Sequence, residues 1–257
     1  MPKWRQRCDV HSSDQLLSIH ICLVDDLRVN IAIIPARGGS KRIPRKNIKD
    51  FCGKPVIAYS IEAAQSSKVI DKVIVSTDDD EIADVVRKYG AEVPFRRPAM
   101  LSNDHAGTTP VIAHAIRWFE ENRGPLGLVC CIYATAPLLQ PRFLRKGLEI
   151  LQAHPDADFA FGVTSYPAPI LRSLKRNPDG TVSMNWPEHE GTRSQDLPEA
   201  LHDAGQFYWG RPRSFFKSKG TFSARSYPVL LPRYLVQDID TPEDWEMAES
   251  IYRASRR

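Results

Sequence analysis

The chain has 257 residues and a mass of 29.1 kDa, enough for one large α/β domain or two small ones. With 42% hydrophobic and 26% charged residues, its composition excludes wholesale disorder, collagen and coiled coil. The net charge of +4 is local: Arg37 to Lys54 hold seven basic residues and one acid, a net of +6 that leaves the rest at −2. Such a concentration predicts a compact anionic ligand. A nucleic-acid-binding protein using the RGGSKR loop is the alternative, and it would show steeply salt-dependent affinity.

Residues 1–29 are expected to form a weakly ordered leader. Met1 to Arg7 is basic and Leu16 to Val24 is moderately apolar, but Ser18 and His20 interrupt the run and Asp25 and Asp26 close it without a small-residue cleavage site. From Asn30 onward strands and helices alternate. Ile31–Ile34 reads as a buried strand ending at Pro35, and Pro55–Gln65 as a helix with Pro55 at its first position. Lys72–Ser76 is a strand, Asp78–Tyr89 a helix capped by Asp78, and Ala91–Phe95 a further strand. A helix from Thr109 to about Asn122 precedes a strand over Leu128–Tyr133, and a helix from Pro141 to about His154 precedes one over Phe159–Thr164. After Ser165 the pattern loosens. Asn177–Gly180 predicts a hairpin turn between Leu171–Arg176 and Thr181–Trp186, and Pro187–Pro198, with His189, reads as solvated loop. Ala204–Trp209 is a strand, and Thr241–Ser255 a closing helix with Thr241 as cap and Pro242 at its first position. The pattern predicts β-α-β units around a mostly parallel sheet, in one domain over 30–257 with an inserted arm.

Five cysteines (Cys8, Cys22, Cys52, Cys130, Cys131) with no C-x-x-C spacing predict reduced thiols in a cytoplasmic protein rather than a disulfide framework or zinc site. The longest mostly apolar stretch, Leu126 to Leu139, falls short of the roughly 18 residues of a spanning helix. No membrane passage is expected.

In an open parallel sheet, ligands bind beyond the carboxyl ends of the strands. Arg37-Gly38-Gly39-Ser40-Lys41 follows the first strand there, where the two glycines let backbone N–H groups approach a phosphate and Arg37 and Lys41 add charge. The segment lacks the spacing of a Walker A loop, and the chain has no G-x-G-x-x-G. Asp238 and Asp240, two apart, project their carboxylates from one face of an extended segment. They suit either Mg²⁺ or the start of the helix that follows. Asp78 to Asp80 reads as a helix start.

The string IIPARGGSKRIPRKN, Ile33 to Asn47, resembles the signature of the sugar nucleotidyltransferases, in particular the cytidylyltransferases that activate nine-carbon α-keto acids such as sialic acid. GKPVIAYSI (Gly53–Ile61), VIVSTDD (Val73–Asp79), RPAMLSNDHAGT (Arg97–Thr108) and QDIDTPEDW (Gln237–Trp245) match in order. The resemblance implies a Rossmann-like nucleotidyltransferase fold with an inserted dimerisation arm at about 170–200, a homodimer, and CTP and a nonulosonic acid as substrates. It implies that Arg37, Lys41 and Lys46, with the Gly38–Gly39–Ser40 backbone, hold the phosphates, that Asn47 lies beside the ribose, and that Arg97 and Thr108 recognise cytosine. It also assigns Asp238 and Asp240 to Mg²⁺, making them catalytic together with Arg37 and Lys41. Arg42, Arg45, Lys49 and Lys54 are left at the rim or in solvent.

The sialic-acid branch typically carries a Q-P-T-S-P motif where this chain has YATAP, Tyr133 to Pro137. With HDAGQFYWG (His202–Gly210) and SQDLPEA (Ser194–Ala200), the departures resemble the pseudaminic acid cytidylyltransferases instead, sialic and legionaminic acid remaining the alternatives. Tyr133, His202, Gln206 and Tyr208 are the expected sugar contacts, with Arg172 meeting the sugar carboxylate. No general base is legible.

Overall fold

The computed structural model describes residues 28–217, 220–223 and 225–255. The expected leader therefore lies outside the described residues except for its last two, and Val29 already belongs to the first strand.

Six strands form the central sheet: β1 (Val29–Pro35), β4 (Lys72–Ser76), β5 (Leu126–Ile132), β6 (Phe159–Ser165), β9 (Leu201–Gly210) and β10 (Ser226–Leu230). Two short pairs lie outside it, β2 (Asp50–Phe51) with β3 (Lys54–Pro55) and β7 (Leu174–Arg176) with β8 (Val182–Met184). The sheet order is β10-β6-β9-β5-β1-β4. β9 runs antiparallel to both its neighbours, and the other five strands share one direction. The helices are α1 (Val56–Ser67), α2 (Asp80–Lys88), α3 (Thr108–Asn122), α4 (Pro141–Ala153) and α5 (Pro242–Ala254).

Alternation along β1 sorts the core into two layers. Ala32 and Ile34 pack with Ile57 and Ile61 of α1, Ile82 of α2 and Leu144 of α4, whereas Ile31 and Ile33 face Ile112 and Ile116 of α3. Burial on both faces explains the near-continuous apolar runs of β1 and β5. A third cluster fastens α5, whose Trp245 and Tyr252 meet Phe51 edge-on at 5.4 and 5.6 Å. The start of α5 is a capping box: Thr241 accepts from the Asp244 N–H, and the Asp244 carboxylate accepts from the Thr241 N–H.

Four expectations are corrected. Pro55 is the extended N-cap of α1 and not its first helical residue. Asp79, not Asp78, caps α2 by accepting from the Ile82 N–H at 3.0 Å. The segment at Ala91–Phe95 makes only isolated bridges, Ile74 to Glu92 and Thr77 to Arg96, because Pro94 removes a donor that a ladder needs. β10 was not anticipated. Its sequence SYPVL contains Pro228, which a sheet tolerates only at an edge such as this one. The hairpin turns at Gly180, with φ of 88°.

Candidate active site

The carboxyl ends of β1 and β5 open on a cleft of about 470 Å³. Nine of the residues singled out from the sequence line it: Arg37, Ser40, Lys41, Lys46, Asn47, Arg97, Thr108, Tyr133 and Asp240. The RGGSK loop is shaped from beneath by the acidic turn after β4, since Asp78 accepts from the Gly38 N–H at 3.0 Å. Asp79 approaches so closely that a Cβ on Gly38 would lie 2.5 Å from its Oδ2. Glycine is required there for space. Asn47 donates its amide to the Arg37 carbonyl at 2.9 Å and closes the loop from the other side.

The cations of the loop are already compensated. Arg37 and Lys41 both reach Asp104 at 2.5 Å, and their pull holds its carboxyl down at about 2. Arg42 pairs with Asp240 at 2.9 Å and lines the cleft, a closer involvement than the rim position expected for it. Lys46 donates to the Ile239 carbonyl at 2.6 Å and lies 3.4 Å from Asp240. Arg45 pairs with Asp79 and Glu81, Lys54 with Glu62, and Lys49 sits 4.5 Å over the Trp245 ring. Each cation of the +6 segment thus meets a carboxylate or an aromatic face, although Lys41 and Arg42 stay 80% and 65% exposed, and this local neutralisation argues against the nucleic-acid reading.

Arg97 is different. It is only 5% exposed, its guanidinium donates to the side chain and carbonyl of Ser76, and among the described residues it forms no ion pair. Desolvation, with a smaller contribution from Arg37, pushes its pKa down to about 10 against the opposing pull of Asp78. A buried cation lining a cleft with no carboxylate in ion-pair contact is built to meet a ligand.

Asp240 lines the cleft and takes both its basic partners on Oδ1. Asp238 lies outside the cleft lining, near Gly205. Its carboxyl is pushed up, first by desolvation and then by the Asp240 charge, with Lys46 opposing. The charge of Asp240 thus reaches Asp238, but of the two expected metal ligands only Asp240 lines the cleft. Among the described residues no group of three or more His, Cys, Asp or Glu side chains is placed to hold a metal ion. A carboxylate pair fits Mg²⁺, which completes its shell with water and phosphate oxygens, and does not fit a metal needing an all-protein cage.

The expected sugar contacts divide. Tyr133 and Tyr208 border a second, smaller recess that shares Thr108 and Tyr133 with the cleft. Three others line neither. Arg172 lies on the arm with its guanidinium 3.4 Å from Ser194 Oγ. His202 packs against Tyr166, ring centroids 4.9 Å apart. Gln206 is 2% exposed and donates to the Leu235 carbonyl at 2.6 Å. Gly38 and Gly39 contribute no lining atom; Asp104 lines the cleft, Asp203 lines the recess and the buried Ser76 accepts from Arg97, none of them having been singled out.

The cytidylyltransferase family model matches residues 31–237. Over 226 residues the chain is 45% identical to a pseudaminic acid cytidylyltransferase of Campylobacter jejuni, covering 88% of this chain and 97% of the relative. It is 31% identical to a CMP-N,N'-diacetyllegionaminic acid synthase of Legionella pneumophila, covering 86% and 95%. Among solved structures, a CMP:2-keto-3-deoxy-manno-octonic acid synthetase complexed with CTP shares the fold, with a TM-score of 0.63, 18% identity and 88% and 99% of the two chains covered. The sheet, the cleft at its carboxyl edge and these matches agree: the chain belongs to the cytidylyltransferase family.

Proposed function

We propose that the protein transfers the cytidylyl group of CTP to pseudaminic acid, giving CMP-pseudaminic acid and pyrophosphate. The observation that carries the nucleotide half is the buried Arg97, without an ion pair among the described residues, lining one cleft with the Arg37 and Lys41 cations. The sugar half rests on the 45% identity to pseudaminic acid cytidylyltransferases over most of both chains.

In this reading the anomeric hydroxyl attacks the α-phosphorus in line. A P–O bond forms to the sugar, the bond to the bridging oxygen breaks, and pyrophosphate leaves. Arg37 and Lys41 exchange Asp104 for the departing phosphates and stabilise their charge. Arg97 donates to a carbonyl acceptor of the base, and Thr108, the first residue of α3, borders the same space. Asp240, with Asp238 beside it, would hold Mg²⁺, which when bound would screen phosphate charge. Incubation with CTP and pseudaminic acid, with the nucleotide sugar detected by mass spectrometry, tests the reading. Product from sialic or legionaminic acid alone would move the assignment to those sugars.

The arm supports a homodimer. Leu174 and Val182, 59% and 63% exposed, share one face of the β7–β8 hairpin with Met184, and exposed apolar side chains on so small a hairpin need cover. Light scattering is expected to give twice the 29.1 kDa chain mass; a monomeric mass contradicts it.

A further inference from the structure

The smaller recess has a volume of about 160 Å³. Its walls are apolar where Ile112, Cys131 and Phe215 meet, and among the described residues it has one charged group, Asp203 of β9. The carboxylate is fixed from two sides. Gly205, held at φ +62°, donates its N–H to Oδ1 at 3.0 Å, and the Tyr208 hydroxyl donates to Oδ2 at 2.6 Å.

Tyr133 lines both the nucleotide cleft and the recess, and Tyr208 lines the recess beside the carboxylate. Burial above all, and Asp203 in addition, push the Tyr208 phenol far up, so it keeps its proton and commits it to Asp203. The Tyr133 ring lies against that of Tyr208, centroids 5.3 Å apart. The Tyr133 oxygen faces the Thr108 hydroxyl at 3.5 Å. Each Asp203 carboxylate oxygen accepts one of these bonds and keeps a further acceptor site.

An acceptor-only group selects a donor and repels the sugar's own carboxylate. Pockets that take whole small molecules run to about 300–1,000 Å³, so a recess of about 160 Å³ takes one substituent. An acylamino group matches both halves, its N–H for the carboxylate and its methyl for the apolar wall, whereas a hydroxyl leaves that wall uncovered. We propose that Asp203 is a specificity-determining residue that accepts the N–H of an acylamino substituent of the sugar, whose acyl methyl fills the recess against Ile112, Cys131 and Phe215. This inference rests on the reading of the acceptor as a diacylamino nonulosonic acid.

The test compares wild type and Asp203→Asn on pseudaminic acid and on a nonulosonic acid carrying hydroxyls in place of both acylamino groups, with CTP fixed. For the acylamino sugar, kcat/KM should fall by about tenfold to a hundredfold through KM. For the hydroxyl sugar it should change by less than about threefold, because a hydroxyl reverses to accept from the new amide. A second variant, Asp203→Glu, keeps the charge and inserts a methylene; it should shift preference toward the hydroxyl sugar by about tenfold. CTP-induced thermal stabilisation in the same samples reports that each variant is folded, and if Asp203→Asn is not, Asp203→Glu decides. Equal losses on both sugars, or no loss, overturn the inference while leaving the parent reading standing. Wild type that turns over neither sugar overturns both.

Discussion

Arg97 gives the sharpest separation between a ligand-binding and a structural residue. At neutral pH the folded protein carries this guanidinium desolvated, 5% exposed and without a carboxylate partner. The pKa of about 10 reflects a cost to the charged form on the order of 3 kcal/mol. Because the folded-state value is depressed, that cost is present at neutral pH and relieved only as pH rises through about 10. Arg97→Met keeps most of the side-chain volume, removes the cost and forfeits the bonds to Ser76, which at about 1.5–3 kcal/mol for a charged donor roughly offset it. The melting temperature without nucleotide should therefore stay within about 4 °C of wild type or rise. CTP affinity should fall by about tenfold to a hundredfold, the loss of a charged hydrogen bond to the base. Calorimetric titration with CTP and differential scanning fluorimetry on the same preparations supply both numbers. A melting temperature lowered by more than about 8 °C together with unchanged CTP affinity would refute the argument, because the guanidinium would then be serving the fold.

Three further perturbations address the rest of the site. Asp240→Asn should lower turnover at saturating Mg²⁺ by at least about a thousandfold and leave the fold intact; near-normal activity contradicts the metal assignment. Asp104→Asn removes the acid shared by Arg37 and Lys41 at 2.5 Å, so CTP should bind about two- to tenfold more tightly in titration calorimetry at low salt. Unchanged or weaker binding would mean that Asp104 is not a competitor for those cations. Asp79 is held at about 2, chiefly by its hydrogen bond with Arg45, so its stabilisation is present above about pH 4 and lost as pH falls toward 2. Asp79→Asn, which keeps the cap, should cost about 2 kcal/mol at pH 7 in denaturant titrations, with the gap to wild type closing in acid; a gap independent of pH contradicts the pairing.

The sequence was most informative where one local rule acts alone. The apolar runs of β1 and β5 and the Thr241 cap of α5 follow from patterning and capping. Three consecutive aspartates defeat such rules, because any of Asp78, Asp79 and Asp80 satisfies a cap. The choice is made by distant partners, the Gly38 N–H for Asp78 and Arg45 for Asp79. Gln206 lies apart from the cleft and the recess for a related reason. Strand alternation places it on the face of Tyr208, but the register between β6 and β9 shifts between Phe161 and Val163 beside Gly205, and the side chain turns to the Leu235 carbonyl. Asp203 lies within the HDAGQFYWG segment. Its spacing to Gly205 and Tyr208 was readable, but the recess that gives it meaning requires α3 to be brought against β9. The basic loop was the clearest signal, although its composition did not reveal that its charges are already paired with acids brought together by the fold.

The central claim, that this cleft joins CTP to pseudaminic acid, is tested most directly by the rate of pyrophosphate release from CTP with pseudaminic, legionaminic and sialic acids in turn. The account predicts Mg²⁺-dependent release with the highest kcat/KM for pseudaminic acid, at least about a hundredfold over sialic acid. Equal rates with the three sugars, or release fastest with sialic acid, would contradict it.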